Sequence, residues 1–117
     1  MFNQTIILGN LGKDPVLKEK ENGIPYVYFP VVTVSHWINA NGEKQEKKIW
    51  FKVKCFGKQA LNYAKFLHKG SLILAVGEID NSVWLDEASG EVRSSLELNV
   101  TRGSIQFVSD WGESNGF

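Results

Sequence analysis

The residues best placed to do chemistry lie at positions 48–56, Lys-Ile-Trp-Phe-Lys-Val-Lys-Cys-Phe. An extended strand sends alternate side chains to opposite faces, so these nine residues sort into two sets. Ile49, Phe51, Val53 and Cys55 form an apolar face suited to a core. Lys48, Trp50, Lys52, Lys54 and Phe56 form the other face, where aromatic rings alternate with ammonium groups. That second face is costly to solvate because of its rings and costly to bury because of its cations. A partner that brings flat bases and phosphates together removes the conflict, and single-stranded nucleic acid is such a partner.

Groups that could catalyse are few. Cys55 falls on the apolar face, where a thiol is buried and inert. His36 belongs to the end of an earlier strand and His68 to the end of a helix, where a cation suits the dipole. No Cys/His cluster has metal-ligand spacing, and neither a glycine-rich phosphate loop nor a carboxylate pair is present. The expectation is a protein that binds without turnover and uses no metal or cofactor.

The formal net charge of the 117 residues is zero, but its distribution is lopsided. Residues 1–70 carry 11 lysines and 5 acids, net +6, while residues 71–117 carry 2 arginines and 8 acids, net −6. From Lys44 to Lys69 there are eight lysines against Glu46 alone. Phosphate binding depends on where charge sits rather than on its total. By face, Lys48, Lys52 and Lys54 are the first phosphate-binding candidates, with Lys13, Lys58 and Lys69 next.

The elements that must hold this strand in place are legible from pattern and punctuation. Thr5–Leu8 is a short apolar run ended by Gly9-Asn10-Leu11-Gly12 and Asp14-Pro15. Val16–Glu21 reads as a brief strand and Tyr26–Val34 as a longer one continuing towards Trp37. Pro30 cannot donate to a ladder, which predicts an edge or a bulge there. Residues Asn39–Gly42 form a loop tip. After Gly57 the apolar period becomes helical, with Ala60, Leu61, Ala64 and Leu67 as the stripe, and the helix is expected to stop at Lys69-Gly70. Leu72–Val76 is a buried strand running on to Trp84, residues Asp86–Gly90 are a second tip, and a last strand runs from Val92 to about Val108.

One helix among runs of strands predicts an all-β domain, a five-stranded Greek-key OB-fold barrel with the helix between strands 3 and 4. The domain is expected to span residues 1–108, with 109–117 a short flexible tail. No apolar run reaches the roughly 20 residues of a membrane helix. The start lacks a signal-peptide pattern, and one cysteine leaves no internal disulfide, so a cytoplasmic setting is expected.

Several pieces in order resemble the bacterial-type single-stranded DNA-binding protein family over about residues 1–108. Asn3–Pro15, with its Gly9-Asn10-Leu11-Gly12 turn, is similar to the family's first strand. Trp50 followed by Phe56-Gly57-Lys58, then Phe66-Leu67 and Lys69-Gly70-Ser71, resembles its third strand and helix. Trp84-Leu85-Asp86 with Gly90 resembles the tip of its long hairpin. The resemblance implies a homotetramer that wraps single-stranded DNA without reading sequence, in replication, recombination and repair. It implies stacking at Trp37, Trp50, Phe56 and Trp84, with Phe66 at an aromatic position on the helix. Trp111 matches nothing in the family and is given no role.

Departures from the family pattern carry their own expectations. Residues 78–83, Glu-Ile-Asp-Asn-Ser-Val, hold two acids where relatives carry cations, so this hairpin is expected to add less to wrapping. Phe51 and Leu72 stand where polar interface residues are common, and the exchange is expected to add apolar area for association. The family's acidic tip, which recruits replication and repair proteins, has only Asp110 and Glu113 as counterparts here. An OB-fold adaptor acting mainly through protein partners is the alternative reading, and RNA in place of DNA is a variant of the first.

Overall fold

The alternation at 48–56 continues backwards for four residues. A computed structural model describes residues 1–110 and places one strand over Lys44–Phe56. In chain order the elements are β1 (Thr5–Leu11), β2 (Val16–Glu19), β3 (Pro25–Ile38), β4 (Lys44–Phe56), α1 (Gln59–Phe66), β5 (Leu72–Asp86) and β6 (Glu91–Ser109). The five long strands close on themselves, because β1 pairs with both β5 and β3 at the two ends of the order β1-β5-β6-β4-β3. The result is a five-stranded barrel with the helix inserted before its fourth long strand, as expected. All pairings are antiparallel except β4 with β6, which run parallel from Phe51↔Leu96 to Cys55↔Val100.

The predicted division of β4 holds in its inner half, whereas Ile49 and Phe51 of the apolar face are only half-buried. Val53 and Cys55 are fully buried beside Val27, Phe29 and Val31 of β3, Ile73 and Ala75 of β5, and Leu98 and Val100 of β6. Closure needs compensating features at two points. Pro30 lies where β3 passes from one neighbour to the next, since β2 pairs only up to Tyr28 and β1 only from Val31. Its carbonyl accepts the Gly12 N–H at 2.9 Å. Carbonyl and nitrogen of one residue face the same way in a strand, so the missing donor falls in this gap and costs β4 nothing. Gly77 marks a register shift in β5, and a Cβ there would meet the Asn99 carbonyl oxygen at 2.5 Å. Only glycine permits that approach, and beyond it β5 leaves the barrel as one side of an arm.

Helix α1 caps the barrel with a different stripe from the one predicted. Ala60 and Leu67 are buried and Tyr63 and Ala64 pack on the core, but Leu61 is 49% exposed. The helix also ends at Phe66, three residues before Lys69. Leu67 adopts extended backbone (φ −88°, ψ 149°), which turns its side chain inward while its N–H still donates to the Tyr63 carbonyl. Core burial of one leucine outweighs another helical residue. The following turn is tied to β1 by Gly70 N–H to Leu11 O at 2.8 Å.

Other boundaries shift less. Strand β6 ends at Ser109, one residue past its expected end, and residues 111–117 of the predicted tail, Trp111 included, lie outside the described residues. Leu72 is 4% exposed and Phe51 packs against the core. Leu72 therefore offers no apolar area for association, contrary to expectation, because closure of the barrel has already used it.

Candidate nucleic-acid interface

Register across β3 and β4 builds the site. The unbroken pairing Tyr26↔Phe56, Tyr28↔Lys54, Pro30↔Lys52, Val32↔Trp50 and Val34↔Lys48 puts the even-numbered residues of both strands on one outer surface. Tyr26 lies 6.2 Å from Tyr28 and 5.7 Å from Phe56, centroid to centroid. Cations sit over these rings: Lys52 Nζ is 4.5 Å from the Tyr28 centroid and Lys20 Nζ is 4.3 Å from that of Phe56. Each such contact is worth about 0.5–1 kcal/mol when exposed. It holds the ammonium group at the surface without neutralising it.

This surface forms one wall of a groove of about 820 Å³. Trp50, Lys52, Lys54, Tyr28 and Pro30 line that wall, and Lys13 and Asp14 also line the groove. Ser82, Trp84 and Ser95 of β5 and β6 face it from the other arm, and Glu97 lies beside Lys52 and Lys54 where β6 pairs with β4. A second hollow of about 680 Å³ continues past Lys54 to Tyr26, Phe56 and Lys20. Trp50 is 54% exposed, and its ring rests on Gly12, where a Cβ would come within 2.5 Å of its Cζ3. Gly12 is therefore needed for the space it leaves to the ring, a reason its turn-like context did not reveal.

The candidate residues divide by location. The groove gathers Trp50, Trp84, Lys13, Lys52 and Lys54, and the second hollow holds Phe56. Lys69 joins Trp50 and Gly12 around a neighbouring hollow, its backbone N–H donating to Asp14 Oδ1 at 2.7 Å. Lys48 lies on the same face but further out, 3.6 Å from Glu46. Lys58 is exposed at the start of α1. Two aromatics stand apart. Trp37 pairs with Gln45, so strand alternation puts it on the opposite face of the β3–β4 arm from Trp50. Phe66 is 70% exposed and lines a separate hollow with Phe107.

Sequence reading missed Tyr26, Tyr28, Lys18, Lys20 and Glu97. The tyrosines were detectable by the alternation used for β4, since Tyr26, Tyr28 and Pro30 occupy one parity of β3. Glu97 was not detectable, because only the parallel β4–β6 pairing brings it to Lys54, with Nζ and Oε2 3.2 Å apart.

The groups once weighed for catalysis sit elsewhere. Burial pushes the Cys55 thiol up, partly offset by a hydrogen bond with Gln59, so it stays protonated at neutral pH. His36 lies 3.4 Å from Glu46 out on the arm. The histidine at 68 is raised chiefly by its Nδ1–H donating to the Lys69 carbonyl, with Asp110 at 2.9 Å from Nε2 adding to the effect. Among the described residues no group of His, Cys, Asp or Glu is placed to hold a metal ion.

Residues 2–108 match the model of the single-strand binding protein family. The chain belongs to that family. A single-stranded DNA-binding protein of Aquifex aeolicus is 37% identical over 98 residues, which is 84% of this chain and 65% of the relative. The chain thus spans somewhat less than two thirds of that relative's length. Among solved structures, a Plasmodium falciparum SSB in complex with single-stranded DNA superposes with a TM-score of 0.82 at 19% identity, covering 93% of this chain and 96% of the other. A small single-stranded DNA-binding protein from Streptomyces coelicolor gives 0.74 at 20% identity, covering 92% and 96%. At such identities these two likenesses concern the fold, and they agree with the barrel described above.

Proposed function

We propose that this family member binds single-stranded DNA without regard to sequence, and that the groove between the two hairpins is where it does so. One observation carries the reading: exposed Trp50 and Trp84 face a common groove that Lys52 and Lys13 also line. Rings stack on any base, each adding roughly 1–3 kcal/mol, and lysines release counterions from the phosphates they meet. Phe56, with Tyr26 and Tyr28 beside it, extends the stacking path into the second hollow, where Lys20 stands over the ring. Lys69 and Lys48 flank the path. Trp37, Phe66 and Lys58 lie off it and would meet only a strand that wraps beyond the groove.

Association fits the same reading. Ile6 and Leu8 are exposed on the outer face of β1, opposite Val76 and Leu74 of β5, and make an apolar surface for a second copy. The homotetramer, the part in replication and repair and the cytoplasmic setting belong to this proposal, the last supported by a lone buried thiol. Among the described residues no helix is long and apolar enough to cross a membrane.

A titration of tryptophan fluorescence with oligo-dT at two salt concentrations tests the function. Strong quenching that weakens with salt is expected. Absence of quenching at micromolar DNA in low salt would sink the single-strand reading and leave a protein-partner adaptor in its place. Sedimentation velocity tests the oligomer.

A further inference from the structure

Lys52 and Lys54 are neighbours on one face of β4, yet their side chains diverge. Lys52 leans towards β3 and sits over the Tyr28 ring at 4.5 Å. Lys54 leans towards β6 and meets Glu97 at 3.2 Å, with the two side chains only 25% and 12% exposed. Glu97 does not stand alone, because Asp80 lies directly across from it on β5 and shares its face. On its other side the Cα partner of Glu97 is Lys52. The groove therefore holds a carboxylate at the level where its two best-placed lysines emerge.

We propose that Glu97 acts as a built-in rival of the DNA phosphate for Lys54 and thereby sets how tightly the groove holds a single strand. The inference rests on the single-strand reading above and goes beyond it. For Lys54 to serve a phosphate it must leave a largely desolvated carboxylate unpaired, which is far costlier than exposing a solvated one. A phosphate approaching that point also meets repulsion from Glu97 and Asp80. Among the described residues Lys52 has no acid to leave, so its ammonium group is available at once. Wild-type binding is thus weaker, and less salt-dependent, than the number of lysines lining the groove suggests.

The test is the oligo-dT titration on the full chain, run between about 50 and about 200 mM salt with Glu97→Gln, Lys54→Met and the double variant, each with a thermal melt. Glu97→Gln should bind roughly fivefold tighter at low salt, as expected for removing one like charge near a phosphate. Its log–log salt slope should steepen by about 0.7, one further phosphate neutralised. The double variant, which removes both charges, should return to the wild-type slope. Wild-type-like or weaker binding by a Glu97→Gln protein that melts like wild type overturns the inference. So does a double variant with a slope flatter than wild type, since Lys54 would then already be serving phosphate. Should Glu97→Gln melt early, the slopes of the double variant and wild type decide between these outcomes. Failure of the wild-type protein to bind oligo-dT overturns the single-strand reading itself, whereas normal wild-type binding with either contrary result overturns this inference alone.

Discussion

The two hairpins that wall the groove are alike in backbone and opposite in charge. Each is a pair of antiparallel strands extended beyond the barrel, and each presents a half-exposed tryptophan, Trp50 on one and Trp84 on the other. On the β3–β4 side, lysines at 18, 20 and 52 lie over aromatic faces that leave their charge free. On the β5–β6 side, residues 78–97 hold six acids and one cation, Arg93. That guanidinium is held by Asp86 at 3.3 Å and Glu91 at 3.5 Å. On the proposed reading, rings are shared between two walls while phosphate attraction falls mainly on one. A strand lying in this groove would be gripped by its bases from both sides and by its backbone from one.

Variants can test that asymmetry, beginning with the largest effect. Trp50→Ala should cost about 1–3 kcal/mol of binding to any oligonucleotide and leave the salt slope nearly unchanged, since it removes stacking and no charge. A loss that depends on base sequence would instead mean that this wall reads bases. Gly12→Val should give a smaller loss of the same kind, because a side chain there must displace the Trp50 ring; unaltered Trp50 fluorescence and affinity would contradict it. Lys52→Ala should flatten the log–log salt slope by about 0.7. Arg93→Ala, on the acidic wall, should leave the slope as it is. Equal flattening by the two would erase the difference between the walls.

The smallest effect concerns stability and lies off both walls. The pKa of His68 is raised in the folded protein, so its contacts with the Lys69 carbonyl and Asp110 stabilise most fully below the ordinary histidine value of 6.5. That contribution is lost as pH rises through the raised value. His68→Gln should remove this part of the pH dependence of the melting temperature and leave oligo-dT affinity unaltered. A change in affinity would bring the helix end into the binding path.

What could be read from the sequence was whatever a local period encodes. The two faces of β4 were legible because alternation there is strict and the two sets differ so sharply in chemistry. The barrel followed from strand count and one helix. Features that depend on register between distant strands were not legible. Trp37 and Trp50 look equivalent along the chain, and only the pairing of Trp37 with Gln45 sets them on opposite faces. Glu97 in Leu96-Glu97-Leu98 reads as an ordinary outward polar residue until β6 is laid beside β4. The helix end was missed for another reason: a tertiary gain at Leu67 overrode a local stop signal at Lys69-Gly70.

The parallel seam between β4 and β6 has a consequence for how the molecule is made. It joins Phe51 to Leu96 and Cys55 to Val100, partners 45 positions apart, with α1, β5 and the turn into β6 between them. Contacts of such sequence separation form slowly, because the loop must close before any pairing rewards it. A growing chain will therefore hold β4 with one edge unpaired, its lysines and Trp50 already displayed, until the last strand emerges. The groove has no second wall before that moment. Competence to bind a strand should then appear in one step, late in synthesis, and a chain stopped short of residue 96 would offer an open strand edge in place of a site.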